Sequence, residues 1–274
     1  YSTREYDRRY LIAANDGRHR LHFIEQALHV DNTGSAAGCK AVCLFVNDAA
    51  DKAVLARLAA MGISLLALRC TGTDHVDLNA ARRLGIEVVN VVGYSPHSVA
   101  EHATMLLMAL KRKLPQAQQR THRFDFSLDG LDGRNLHGKQ IGIIGTGRIG
   151  CVFARIMSGF GGVLLGHDIV SNPDFLAAGG RYVTLPELCR DADVLSLHCA
   201  LNASTRHLVD APFLAACKPG LLLINTSRGG VVDSQAALSS LQSGHLGGFG
   251  LDVYEHEAGL FFNDHSGDAV KDSL

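Results

Sequence analysis

The chain has 274 residues, with 26 Lys and Arg against 27 Asp and Glu, 47% hydrophobic residues, 29 Gly and only 6 Pro. That composition belongs to a core-forming chain long enough for one large or two medium domains, and it excludes a disordered one. A formal net charge of −1 supplies no broad positive field, so neither nucleic acid nor an anionic lipid surface is an expected partner.

The longest apolar stretch, residues 53–68, is broken by Arg57 and Gly62 and falls short of the roughly 20 apolar residues that span a bilayer. The first nine residues lack the apolar core of a secretory signal, which makes the cytoplasm the expected location. The seven Cys lie at 39, 43, 70, 151, 189, 199 and 217, mostly in apolar runs and never as C-x-x-C, as suits reduced thiols rather than a disulfide framework. The 14 His form no H-E-x-x-H or paired Cys/His spacing, so no metal site is expected.

In chain order, short β-rich runs at 20–24, 41–46, 65–70, 88–92, 140–145, 163–168, 194–199, 221–226 and 248–253 alternate with helical patterns. This is the rhythm of parallel α/β sheets. Between runs, residues 51–61 carry Val54, Leu55, Leu58 and Met61 at helical spacing, and residues 233–242 open with Asp233 as a plausible N-cap. Nine strands exceed a comfortable single sheet. One long helical pattern, 96 to about 123, followed by a Gly- and Asp-bearing segment at 129–138, interrupts the series and predicts two domains, 1–95 and 96–274, the second beginning with the connecting helix.

Gly145, Thr146, Gly147, Arg148, Ile149 and Gly150 follow an apolar run and open a helical pattern, which is G-x-G-x-x-G in its required context. The first Gly permits the tight turn, the second lets the backbone approach a pyrophosphate, the third lets helix pack on strand, and the helix N-terminus supplies N–H donors. Asp168 stands 18 residues beyond Gly150 at the end of the next run, where an acid accepts the adenosine ribose hydroxyls and repels a 2′-phosphate, favouring NAD over NADP. Arg228, in the run Asn225-Thr226-Ser227-Arg228-Gly229-Gly230, falls just beyond a buried strand. A guanidinium there is either an ordinary ion-paired strand end or a fork that grips a substrate carboxylate and polarises a neighbouring carbonyl. Gly250-Leu251-Asp252-Val253-Tyr254-Glu255-His256-Glu257 closes the next strand in the same way.

With these runs together, the sequence resembles the NAD-dependent D-2-hydroxyacid dehydrogenases. The continuation 258–264, with Arg69-Cys70-Thr71-Gly72 and Ser98-Val99-Ala100-Glu101-His102 upstream, is most similar to the fermentative D-lactate dehydrogenases. The resemblance implies an α/β chain of two doubly wound parallel-sheet domains, a flavodoxin-like substrate domain and a Rossmann NAD-binding domain, assembled as a homo-oligomer. It implies NADH-dependent reduction of a small 2-oxo acid, with pyruvate and D-lactate the best match. Arg228 would bind the substrate carboxylate. Asp252 would meet the nicotinamide carboxamide, and Glu257, 29 residues after Arg228, would partner the proton-donating His. Thr71, Gly72, Thr73 and Tyr94 would close the substrate pocket, while Cys199, Ala200, Thr205, Thr226 and Ser227 would line the cofactor; for Cys199 a simply buried thiol fits equally well.

In two respects the sequence departs from the family's pattern. The family places its catalytic His downstream of the last residue here, and residues 1–3 resemble only the end of its first strand, so a portion of a longer chain is expected. The alternatives are a truncated NADH-binding fragment and, in a different class, a non-catalytic NAD-binding regulator.

Overall fold

The computed structural model describes residues 1–257, 260, 265 and 266. It divides into two units, Tyr1–Tyr94 and Ser95–Leu274. Ser95 goes with the second unit because its hydroxyl caps the helix that starts there, accepting from Ser98 N.

In the first unit, α1 (Glu5–Asn15) contributes no buried residue. The strands β1 (Ala41–Leu44), β2 (Leu65–Leu68) and β3 (Glu87–Asn90) form a parallel sheet in the order β1-β2-β3. Each pair is joined by a helix, α2 (Lys52–Ala60) and α3 (Leu78–Arg83). Asp51 caps α2, accepting from Ala53 N and Val54 N, and Val54, Leu55 and Leu58, read at helical spacing, turn inward onto Val42, Leu44, Leu66 and Leu68. Residues 1–3 are tied in beside β1 by single bonds: the Tyr1 backbone nitrogen donates to Cys43 O (2.9 Å), and Ser2 N and Thr3 N donate to Gln26 O and Ile24 O. The expected strand at 20–24 does not form; of that run only Ile24 O takes a bond from residues 1–3, and one bond makes no ladder. Asp48, 1% exposed, ties the segments together by accepting from Ser2 Oγ (2.8 Å), Leu28 N (2.7 Å) and Phe45 N (2.6 Å).

The second unit opens with α4 (Pro96–Lys111) and α5 (Leu114–His122). The sequence suggests one helix here; the chain instead breaks at Lys113, which takes a left-handed conformation (φ 49°). Pro115 can neither donate to a preceding carbonyl nor fit inside a continuing helix. Six strands follow, β4 (Gln140–Ile144), β5 (Val163–His167), β6 (Arg181–Tyr182), β7 (Val194–Leu197), β8 (Leu221–Asn225) and β9 (Leu246–Leu251). They alternate with α6 (Arg148–Gly159), α7 (Pro173–Ala177), α8 (Leu185–Asp191), α9 (Ala211–Ala216) and α10 (Ser234–Gln242). All pair in parallel in the order β6-β5-β4-β7-β8-β9, which is 3-2-1-4-5-6 in the unit's own numbering, the Rossmann order. Strand β8 shows how both faces are covered. Leu221 and Leu223 join Leu188, Phe213, Leu214 and Ala237 of α8, α9 and α10, whereas Ile224 joins Ala103 and Leu107 of α4 and Phe153 and Met157 of α6. Such a sheet puts its ligand crevice at the carboxyl ends of the strands where the order reverses, between β4 and β7.

All seven cysteines are free. Among the described residues no helix is long and apolar enough to cross a membrane, and no three His, Cys, Asp or Glu residues group as metal ligands.

Candidate active site

The turn after β4 carries the glycine fingerprint at the crevice. Gly145 has φ +91°, and a Cβ there would stand 2.6 Å from Cys199 N and from His198 C. At Gly150 a Cβ would meet Gly145 O at 2.0 Å, so α6 approaches β4 only because that position is bare. Gly147, by contrast, has nothing within 4 Å of its would-be Cβ. It sits at the N-cap of α6 without a side chain to cap the helix, leaving the first-turn N–H groups facing open space. This cradle fits a pyrophosphate, the anion that a helix N-terminus with bare backbone accommodates.

Asp168 follows β5 and is fixed before any ligand arrives. Its Oδ2 accepts from Thr146 N (2.6 Å) and Thr146 Oγ1 (3.1 Å), and its Oδ1 from Ile169 N (2.7 Å). With Thr146 Oγ1 donating to the carboxylate, the Tyr182 hydroxyl 2.6 Å away donates to Thr146. Tyr182 OH in turn accepts from Asn172 N (2.7 Å), and Asn172 Nδ2 reaches back to Thr146 O (2.9 Å). The two-residue strand β6, too short to show in any hydrophobic period, supplies the Tyr.

Beyond β7, His198 N donates to Ile144 O (2.7 Å), stitching the switch point. The His198 ring packs 5.1 Å from that of Phe153, its Nε2 2.9 Å from Ser196 Oγ. Burial pushes its pKa down to about 4, so the imidazole is neutral at neutral pH. The adjacent Cys199 thiol is pushed up to about 11, again by burial, so it remains protonated and unreactive. Ala200 and Thr205 belong to one turn, Thr205 Oγ1 donating to Ala200 O (2.6 Å) and accepting from Asn202 N (2.8 Å).

At the end of β8, Asn225 is fully buried. Its Oδ1 accepts from Ser227 N (3.0 Å) and Ser227 Oγ (2.9 Å), while its Nδ2 donates to Arg228 O (2.9 Å). One amide thus shapes the loop that presents Arg228, and Arg228 Nη1 folds back onto Ser227 O (2.9 Å). Thr226 Oγ1 is buried with no partner among the described residues, an orphaned hydroxyl of the kind a bound ligand satisfies.

The loop is clamped from the other side by Tyr254 and Glu255, to which motif reading gives no role although they lie in the run 250–257, and by His207 and Ser234, which motif reading missed. A Cβ on Gly229 would lie 2.2 Å from Tyr254 C, and His207 Nε2 hydrogen-bonds Glu255 Oε1, whose second oxygen accepts from Ser234 N (3.3 Å). Burial alone would raise the Glu255 carboxyl, but the bonds from His207 and Ser234 outweigh it and hold its pKa below the usual range. Glu257 Oε2 accepts from Tyr254 N (3.0 Å), and Asp252 N donates to Asn225 O (3.0 Å) while its carboxylate meets His102 Nε2 at 3.1 Å. Of the continuation 258–264, only Leu260 lies within the described residues; the rest of that run is outside them.

Of the residues expected to serve the substrate, Thr71, Gly72, Thr73 and Tyr94 lie in the first unit. Thr71 Oγ1 donates to Val91 O (2.8 Å), Asn90 Nδ2 to Thr71 O (2.7 Å) and the Cys70 thiol to Gly72 O (3.3 Å), which moors the loop after β2 to the end of β3. Tyr94 is 68% exposed. Arg228, Glu257, Asp168, Asp252 and the glycine turn belong to the second unit.

Residues 104–268 match the family described as D-isomer specific 2-hydroxyacid dehydrogenase, NAD binding domain. Along the whole chain the sequence is 44% identical to the D-lactate dehydrogenase of Escherichia coli, over 84% of that protein. Among solved structures, the pyruvate reductase of Chlamydomonas reinhardtii superposes with a TM-score of 0.87 at 44% identity, covering 97% of this chain and 79% of that one. The D-lactate dehydrogenase of Aquifex aeolicus, complexed with NAD and lactic acid, superposes at 0.91 with 31% identity, covering 99% and 81%. The glycine cradle, the anchored Asp168 and these similarities lead to one conclusion: the chain belongs to the NAD-dependent D-2-hydroxyacid dehydrogenase family.

Proposed function

We propose that the protein reduces a small 2-oxo acid, pyruvate foremost, to the D-2-hydroxy acid with NADH. The observation that carries this reading is the Arg228 loop at the carboxyl end of β8, shaped by the buried Asn225 amide. A planar, permanently charged guanidinium there grips a carboxylate through two hydrogen bonds, and its field favours negative charge on an adjacent carbonyl oxygen. Similarity to proteins named pyruvate reductase and D-lactate dehydrogenase supports the substrate class.

When bound, the reduced nicotinamide supplies the hydride. The chain's own residues do the rest. Gly145, Gly147, Arg148, Ile149 and Gly150 form the pyrophosphate cradle, and Asp168 takes the ribose hydroxyls. Cys199, Ala200, Thr205, Thr226 and Ser227 line the cofactor, and Asp252 accepts from the carboxamide. Arg228 orients the acid. Glu257 is the carboxylate that favours the charged form of the proton-donating His which the family carries further downstream.

The test is NADH oxidation followed across pyruvate, longer aliphatic and aromatic 2-oxo acids, for the wild type and Arg228→Lys. A point charge cannot reproduce the fork, so the variant should show a raised KM for pyruvate and a lowered kcat. Indifference of both constants to the change would remove Arg228 from the substrate site. NADH binding without turnover of any 2-oxo acid, by a chain that carries the downstream His, would reject the reductase reading.

A further inference from the structure

Strand β9 reads Leu-Gly-Gly-Phe-Gly-Leu, and its bare positions let α4 lie directly on it. A Cβ on Gly248 would meet Leu110 Cδ1 at 3.5 Å, and one on Gly250 would meet Leu106 Cβ at 3.2 Å. Four residues of helix advance about 6 Å and two residues of strand about 6.7 Å, so the two elements stay in step. Leu110 answers Gly248, Leu106 answers Gly250, and the next pair along the same stripe is His102 and Asp252. The contact is present: His102 Nε2 stands 3.1 Å from Asp252 Oδ1, and the two side chains are 41% and 50% exposed. Helix packing, rather than chance rotamers on a surface, brings the imidazole to this carboxylate.

We infer that His102 is a positioning residue whose ring N–H holds one oxygen of Asp252, turning the other toward the carboxamide of the nicotinamide. The inference rests on Asp252 receiving that carboxamide, as assigned above. A free carboxylate rotates about its last bond; one with an oxygen pinned from α4 presents its second oxygen in a fixed direction. The pair therefore orients the nicotinamide ring and leaves the adenosine and pyrophosphate contacts, made by Asp168 and the glycine turn, untouched.

The experiment is equilibrium titration of the full chain with NADH, with its 3-acetylpyridine analogue, in which a methyl replaces the carboxamide NH2, and with ADP-ribose, which lacks the ring. Wild type, His102→Ala, His102→Gln and Asp252→Ala are compared. His102→Ala should weaken NADH about 5- to 10-fold, within the span of one ordinary hydrogen bond's net worth, while ADP-ribose affinity stays within twofold. The preference for NADH over the acetylpyridine analogue should shrink, and Gln, whose amide N–H can replace the imidazole donor, should restore it. Equal weakening of NADH and ADP-ribose by His102→Ala would mean a structural role and overturn the inference. So would an unchanged NADH preference in His102→Ala alongside a reduced one in Asp252→Ala. If Asp252→Ala also leaves the preference unchanged, the assignment of Asp252 falls, and this inference falls with it.

Discussion

Gly147→Ala separates cofactor binding from folding more cleanly than any other change at this site. The position has φ −68° and ψ −162°, values any residue adopts, and open space where the methyl would go. Ala is a poorer N-cap than Gly by somewhat under about 1 kcal/mol. That is offset by the roughly 0.4–1 kcal/mol gained when Ala restricts the unfolded chain. The net effect on stability is near zero, so the urea midpoint should move little. A methyl in the cradle, however, holds a phosphate away from the α6 N–H groups, and NADH affinity should fall at least tenfold, or about 1.4 kcal/mol. Gly150→Ala supplies the contrast. Its Cβ would meet Gly145 O at 2.0 Å, more than 1 Å inside ordinary contact, so α6 must move off β4 at the cost of about 1–3 kcal/mol typical of overpacking. Fluorescence titration with NADH and urea unfolding on the same samples check both. Unchanged NADH affinity in Gly147→Ala would refute the pyrophosphate cradle.

Other expectations are more local. Asp168→Ala should weaken NADH and narrow its advantage over NADPH, because the repelling carboxylate goes; identical affinities before and after would dismiss the ribose assignment, as parallel titrations with the two dinucleotides would show. Asn225→Asp replaces the donor to Arg228 O with an acceptor in a fully buried site. It should cost about 1–3 kcal/mol in urea unfolding and raise the KM for pyruvate, whereas a wild-type KM would mean that the loop holds Arg228 without the amide. Glu255 has a folded pKa below its unfolded value, so its stabilisation is complete above the unfolded carboxylate value near 4.3 and fades as the pH falls through the folded one. Glu255→Gln should thus be less stable than wild type at pH 7 and approach it as the pH falls through the folded value; a pH-independent gap in chemical unfolding would contradict the His207 clamp.

Much of this was legible because the chemistry is local. The strand, glycine turn and helix at 140–159 occupy consecutive residues, and each glycine answers to a nearby backbone atom. Asp168, Arg228 and Asp252 each terminate a strand or follow one closely, which the apolar runs of β5, β8 and β9 expose. What escaped was either short or distant. The strand β6 has only two residues, and the break between α4 and α5 turns on Lys113, although Pro115 was a usable signal. The polar Asn225 closing an otherwise apolar strand was another. His102 and Asp252, or His207 and Glu255, are brought together by packing of separate elements, and no spacing in the sequence encodes such a meeting.

The strand order of the second unit also implies a history. Strands β4, β5 and β6 are consecutive and adjacent, so that half of the sheet can assemble while the later strands are still being synthesised. Strand β4, the central one, then waits with one side unpaired until β7 crosses over to it, and every pairing in the sheet is parallel and non-local. Parallel crossovers of this kind form slowly, and an open central edge is where another nascent chain could pair. The nucleotide crevice lies at that seam, so the binding site exists only once β7, the first strand of the second half, has crossed over to β4.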